Sequence, residues 1–337
     1  MNVQKETILL PTQPHTLGWL GNQLVCHENG EQYYPEYDAY PAWREMPKMM
    51  GYSFGAQFDR VITSKNGQYT LLYTNLGTKG LLLSKPNEVL REVNRSYYCA
   101  DVYEYPAIFC ETGGRTFLVH CPLKYCSLDF EDVETGEILT NTPNRNPRDF
   151  FHSRLEISPD GRFLISKGWV WHPLDVIAFY KIEDCLKNPL LLDETTNIAI
   201  DAKEENEEEE FGSNFEFCSA SFANNELLLT VPTNANTMLY WWDMNKNKMV
   251  HNVETGQQLG NLLAVDQNWA WDLFEYPKLI NLVTGKIEWL DQSINSGKQN
   301  SAIIGTQGLP PIAWNRNTGK LAIGGENKVE VLSLSSH

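Results

Sequence analysis

The chain lacks several things that would have named an activity. It contains no HExxH zinc-protease helix, no P-loop and no GxGxxG dinucleotide turn. No window approaches 18 uninterrupted apolar residues, so no transmembrane helix is expected. Met1 to Leu10 lacks a basic stretch followed by a long apolar run, so no signal peptide is expected either. Positive charge is scarce: 27 Lys and Arg stand against 43 Asp and Glu, a formal net charge of −16. Such a surface repels nucleic acid phosphates and anionic lipid, and leaves basic or neutral partners open. The seven cysteines are odd in number and irregularly spaced, which reads as free thiols in a reducing cytoplasm. Cys99, Cys110, Cys121 and Cys126 with His120 form the one cluster, but their spacing is not that of a zinc site. No metal, cofactor or catalytic residue is expected.

What the sequence does have is aromatic content and a repeat. Ten Trp, 15 Tyr and 14 Phe suit half-buried pleated surfaces. A short apolar strand, a tight polar turn and a second apolar strand recur. Val61 to Ser64, then Lys65-Asn66-Gly67, then Tyr69 to Tyr73 is one instance, and Leu155 to Ser158, then Pro159-Asp160-Gly161, then Arg162 to Ser166 is another. Asn-Gly and Asp-Gly supply the positive φ that tight hairpins need. Turn centres near 21, 66, 113, 160, 224, 267 and 317 recur roughly every 45 residues, with one longer gap of about 64.

A second element follows: an apolar strand, Asp or Asn, an apolar residue and a Thr-Gly-type turn. It occurs at Leu128 to Gly136, Tyr240 to Asn247 and Leu279 to Gly285. These segments resemble the third strand and following turn of the WD40 family. Trp242-Asp243 stands where that family's Trp-Asp dipeptide belongs, and Ser158-Pro159-Asp160-Gly161 resembles its first turn. No Gly-His dipeptide occurs. The expected fold is therefore all-β: one WD40-like domain over 1–337, a seven-bladed β-propeller of four-stranded antiparallel blades. The last repeat supplies three strands, ending at Val329 to Leu334. Glu6 to Leu10 has no other partner, so it is expected to complete that blade and close the ring.

Insertions are expected at about 36–54 and 183–214. In a ring of such blades the turns between first and second and between third and fourth strands share one face. The remaining loops gather on the other. Three of those surround the fourth repeat: Gly168 to Asp175 with Trp169, Trp171 and His172; Asn141 to Phe150 with Arg145 and Arg148; and Asp201 to Asn214 with Glu207, Glu208 and Glu209. Tyr40 and Trp43 stand in the first insertion, which is rich in Tyr, Pro and Met. Loops on a rigid scaffold are where binding usually sits. These ten residues are the expected partner-facing set. The function expected is a non-catalytic, monomeric scaffold for a protein or peptide of basic character. The alternative is a hydrolase or lyase at the channel mouth, where Asp59, Arg60, His152, Arg154 and Glu216 are the main polar residues at the starts of inner strands. Separately, His152 and His172 with Asp149 or Asp175 would supply an acid–base group across the loop face of the fourth repeat.

Overall fold

The computed structural model describes residues 2–28, 31–33, 58–85, 88–171, 173–194, 196–197, 216–233, 237–303 and 308–335. Among them, six sheets are continuous antiparallel meanders, the blades of a β-propeller. Blade I comprises Arg60–Thr63, Tyr69–Tyr73, Lys79–Ser84 and Glu88–Asn94. Blade II has Ala107–Thr112, Arg115–His120 and Asp129–Asp132, with a single bridge from Glu131 to Ile138 in place of a fourth strand. Blade III has Glu156–Ile157, Phe163–Val170, Leu174–Lys181 and Thr196–Asn197. Blade IV has Phe217–Phe222, Leu227–Pro232, Met238–Asp243 and Lys248–Glu254. Blade V has Leu262–Ala264, Trp269–Asp272, Lys278–Asn281 and Ile287–Leu290. Blade VI has Ile312–Asn315, Lys320–Gly325, Lys328–Ser335 and, as its outer strand, Asn2–Leu9.

The expectation of seven four-stranded blades is corrected to six blades. The first repeat is a short three-stranded meander, Gly18–Leu20, Gln23–Glu28 and Glu31–Tyr33, whose two ladders have three rungs each. It fills the gap between blades VI and I. Gly18–Leu20 touches the inner strands of both. Asn315 Nδ2 donates to Gly21 O at 2.7 Å, and the Thr63 hydroxyl donates to the Trp19 carbonyl.

The closing strand stands as expected, in the register Glu6 to Val331 and Ile8 to Val329. It removes two open sheet edges at once. The turns repeat one solution. In Ser64–Gly67, Asn66 Oδ1 accepts the Gln68 amide at 2.9 Å and Ser64 Oγ accepts the Tyr69 amide at 3.0 Å. In Ser158–Gly161, Asp160 and Ser158 do the same for Arg162 and Phe163. The Asp/Asn–Thr–Gly element is likewise a side-chain cap: Asp132, Asp243 and Asn281 each accept two backbone amides from the next three residues.

Apolar clusters lie between neighbouring sheets. Leu71, Leu82 and Tyr105 join blades I and II, and Phe130, Phe150 and Leu164 join II and III. Ile165, Phe222 and Trp242 join III and IV, and Trp271, Leu321 and Leu332 join V and VI. The expected insertion over 183–214 begins as a helix, Ile182–Lys187, and a 3-10 turn, Pro189–Leu192, set between the third and outer strands of blade III. Residues 198–215 and 34–57 lie outside the described ones. No helix among the described residues is long and apolar enough to cross a membrane.

Candidate functional site

The second strand of blade III runs on to Val170 and the third begins at Leu174, so the expected long loop over 168–175 is a short turn. That extension carries the site. Phe151 bridges Trp169 backbone to backbone, which adds a rung at the mouth of the ring. Gly168 permits it: a Cβ there would stand 2.0 Å from the Phe151 carbonyl oxygen. The Phe151 and Trp169 rings then stack with centroids 3.8 Å apart and planes 5° from parallel.

Other aromatic rings gather on this stack. Tyr103 meets Phe151 edge-on at 5.4 Å, and Tyr125 lies 4.7 Å from it. Tyr98 stacks on Phe151 at 5.9 Å and lies tilted against Tyr125 at 4.8 Å. Trp171 stands edge-on to Phe151 and Trp169, both at 5.4 Å. The inner rings are buried, whereas Tyr97, Tyr98 and Trp171 are 80%, 46% and 43% exposed. The result is a buried aromatic base with an exposed aromatic rim.

Three devices hold the base. Arg95 is buried and donates to the carbonyls of Gly77, Ala100 and Tyr103 at 2.7, 2.7 and 2.9 Å, with its guanidinium 4.4 Å from the Tyr103 ring centroid. Burial lowers its pKa, opposed by the neighbouring Tyr103 and Tyr105. Asp175 accepts from Ser301 Oγ at 2.7 Å and from the Ala302 amide at 3.4 Å, which draws the segment between blades V and VI across to blade III. Burial pushes the Asp175 carboxyl up against those bonds. Finally, Ile303 bridges Tyr103, so the connection between blades V and VI meets the one between blades I and II. At the rim, the Tyr125 hydroxyl donates to Asp149 at 2.7 Å. Burial and that bond push the phenol up, keeping it a neutral donor.

The expected partner-facing residues divide. Trp171 is on the exposed rim, and Arg148 is exposed without an ion pair among the described residues. Trp169 is 3% exposed and belongs to the base, so its expected partner-facing role is corrected to a structural one. Arg145 is corrected in the same way. Its guanidinium pairs with Asp129 at 2.9 Å and Asp193 at 2.7 Å and donates to the carbonyls of Leu128 and Thr140. Two loops need that buried cation between them, and nothing is left to face a partner. His172, Glu207, Glu208, Glu209, Tyr40 and Trp43 lie outside the described residues.

The acid–base alternative loses its described histidine. His152 is buried, Nδ1 lies 3.1 Å from Ser166 Oγ, and burial lowers its pKa to about 3. It is neutral and faces the core. Asp59 accepts the Asn75 amide, and Arg154 pairs with Glu104 at 2.8 Å. Among the described residues no three His, Cys, Asp or Glu side chains converge as metal ligands. Gly51-Tyr52-Ser53-Phe54-Gly55 has the G-x-S-x-G spacing of a serine nucleophile. That motif works on a strand-to-helix turn of an α/β sheet, and these residues lie outside the described ones of an all-β chain.

Tyr97, Tyr98, Tyr103 and Tyr125 were missed by sequence reasoning. A signal existed in the run Ser96-Tyr97-Tyr98 through Tyr103-Glu104-Tyr105, a connection between repeats with four tyrosines in ten positions. No family model matches the chain, and no curated protein matches it.

Proposed function

We propose that this chain is a non-catalytic recognition scaffold that binds a basic protein or peptide segment on the aromatic rim of Tyr97, Tyr98 and Trp171. One observation carries the reading: Tyr98 and Trp171 stay exposed while packed on a buried aromatic base, with Tyr97 exposed beside Tyr98 in the chain. Exposed ring faces attract Lys and Arg side chains through their quadrupole, and Trp is the strongest of them. Asp149 at the rim and the net charge of −16 favour the same cations. The acidic run at 204–210 would add to that attraction. A WD40-like ancestry fits this role, with Trp242-Asp243 ending a third strand and Asp243 capping its turn. A monomer working in a reducing cytoplasm is part of the same proposal, supported by seven free cysteines, six of them buried.

The test is a titration of Lys- and Arg-containing peptides, followed by Trp fluorescence, against neutral isosteres of the same length. Saturable binding of the basic peptides is expected, weakened roughly tenfold or more by Trp171→Ala or Tyr98→Ala. Equal binding of the neutral isosteres, or binding indifferent to both substitutions, would overturn the reading.

A further inference from the structure

The central channel holds a cavity of about 390 Å³, a size that suits a small molecule. Its walls come from the inner strands of blades VI, I and II and from the Gly18–Leu20 strand. About half of the wall is apolar or aromatic, with Trp19, Val61, Ile108, Phe109, Ile312 and Trp314 in it. Among the described residues the charged lining ones are Arg60, Lys65 and Arg316, and none is Asp or Glu. In a chain with 43 acids and 27 bases this is an inversion of the surface charge.

The cations are not equally engaged. Arg316 is bound to Glu156 at 2.9 Å and to the Phe222 carbonyl. Arg60 donates to the carbonyl of Asp59 at 2.8 Å and has no carboxylate ion pair among the described residues. Lys65 has none either, and it is exposed at the turn. Lys65 lies five residues along from Arg60, about 16 Å at the rise of an extended strand, so positive charge stands at both ends of the channel.

Arg60 also has a directional companion. It is the cross-strand partner of Tyr73, so both side chains leave the same face of blade I. Tyr73 is 8% exposed and lines the cavity. Its hydroxyl has no hydrogen-bond partner among the described residues. A buried hydroxyl donor beside an unpaired guanidinium is an arrangement that accepts an anion. The acids nearest this end are occupied: Asp59 by the Asn75 amide and Glu104 by Arg154.

We infer that the channel cavity binds a small organic anion, a carboxylate or phosphate monoester on an apolar body. Its head group sits between Arg60 and the Tyr73 hydroxyl, and its body lies against Phe109 and Ile108. Lys65 at the far end, which has no ion pair among the described residues, keeps the potential there positive and draws anions in. The site is separate from the aromatic rim and does not depend on it.

The experiment is isothermal titration of the full chain with four probes: phenyl phosphate, 3-phenylpropionate, inorganic phosphate and neutral benzyl alcohol. Binding of phenyl phosphate, of 3-phenylpropionate or of both is expected, stronger than benzyl alcohol, and the better of the two identifies the head group. Arg60→Gln should weaken it roughly tenfold or more and Tyr73→Phe roughly three- to tenfold, the losses typical of charged and neutral hydrogen bonds. Arg60→Lys should recover part of the affinity. Thermal melting of each variant shows that it is folded, and Trp171→Ala should bind these probes as the unsubstituted chain does. Failure of both organic anions to bind, binding of benzyl alcohol as strong as theirs, binding of inorganic phosphate as strong as phenyl phosphate, or affinity unchanged in both Arg60→Gln and Tyr73→Phe would overturn the proposal.

Discussion

Arg316, at the inner turn of blade VI, pairs at 2.9 Å with Glu156, the first strand residue of blade III. The contact crosses the channel, because these blades face each other around the ring. Lys167 reaches the same carboxylate at 3.1 Å, and the Ser221 hydroxyl and Phe222 amide complete its shell. Three blades are thus tied to one acid at the axis.

Replacing that acid should loosen the ring. Burial pushes the Glu156 carboxyl up, but Lys167, Arg316 and the Phe222 amide outweigh it and hold its pKa below the usual range. A depressed carboxyl adds stability that is present above its unfolded value near pH 4.3 and lost as the pH falls through the folded value. Glu156→Gln should remove this part of the acid sensitivity and leave two cations without their partner. Glu156 and Arg316 keep 17% and 22% exposure. The expected cost at pH 7 is therefore about 1–3 kcal/mol, below that of a fully buried pair. Urea denaturation at pH 7 and pH 4 measures both effects. An unchanged midpoint at pH 7 would mean that the crossing does not brace the ring.

His152 gives a pH dependence in a different window. Burial lowers its folded pKa to about 3, while in the unfolded chain it titrates near 6.5. Below pH 6.5 the unfolded state binds a proton that the folded state refuses. Stability falls as the pH drops from 6.5 toward 3, by up to about 1.4 kcal/mol per unit from this group. His152→Asn should flatten the slope of unfolding free energy between pH 6.5 and 5, whatever it does to the absolute value. Parallel slopes in the two proteins would contradict a neutral core histidine.

Trp169 and Trp171 should separate cleanly. Trp169 is stacked in the base, and Trp169→Ala should cost about 3–5 kcal/mol. Trp171 is 43% exposed at the rim, and Trp171→Ala should change stability by about 1 kcal/mol or less. Thermal melting of the two variants side by side decides the matter. Similar losses would show that the rim is part of the core.

The outer strand of blade VI can be removed and returned. Deleting residues 2–9 should expose the edge of Lys328–Ser335 and lower the melting midpoint by roughly 10 °C or more, with soluble oligomers seen by light scattering. A synthetic peptide spanning 2–10 should restore the midpoint by adding a strand to that edge. A truncated chain that melts unchanged and stays monomeric would show that the strand does not hold the ring closed.

How far the sequence could be read follows from how local each signal is. Asn66-Gly67 and Asp160-Gly161 announce hairpins because the turn chemistry sits inside four residues. The closing strand was legible because Glu6 to Leu10 had no other partner. The blade count failed at the first repeat, where Gly21-Asn22 marks a good hairpin but the two described ladders have only three rungs each. Arg145 was misread because its acids, Asp129 and Asp193, lie 16 and 48 positions away. Arg95 was invisible, since its partners are backbone carbonyls that carry no sequence signature. The channel cavity escaped as well. It is made by short pieces of several repeats, and no one of them looks like a site.

The strand that closes the ring also sets a clock. Thr7 and its partner Glu330 are 323 positions apart in the chain. At 5–20 residues added per second, the first strand waits roughly 16–65 s outside the ribosome before its mate exists. Every other blade can assemble from neighbours made within moments of each other. For that interval the nascent chain is an open arc with an unclaimed strand at one end. The strand's own make-up suits the wait: Gln4, Lys5, Glu6 and Thr7 are solvent-facing even in the finished ring, which discourages premature pairing with a stranger.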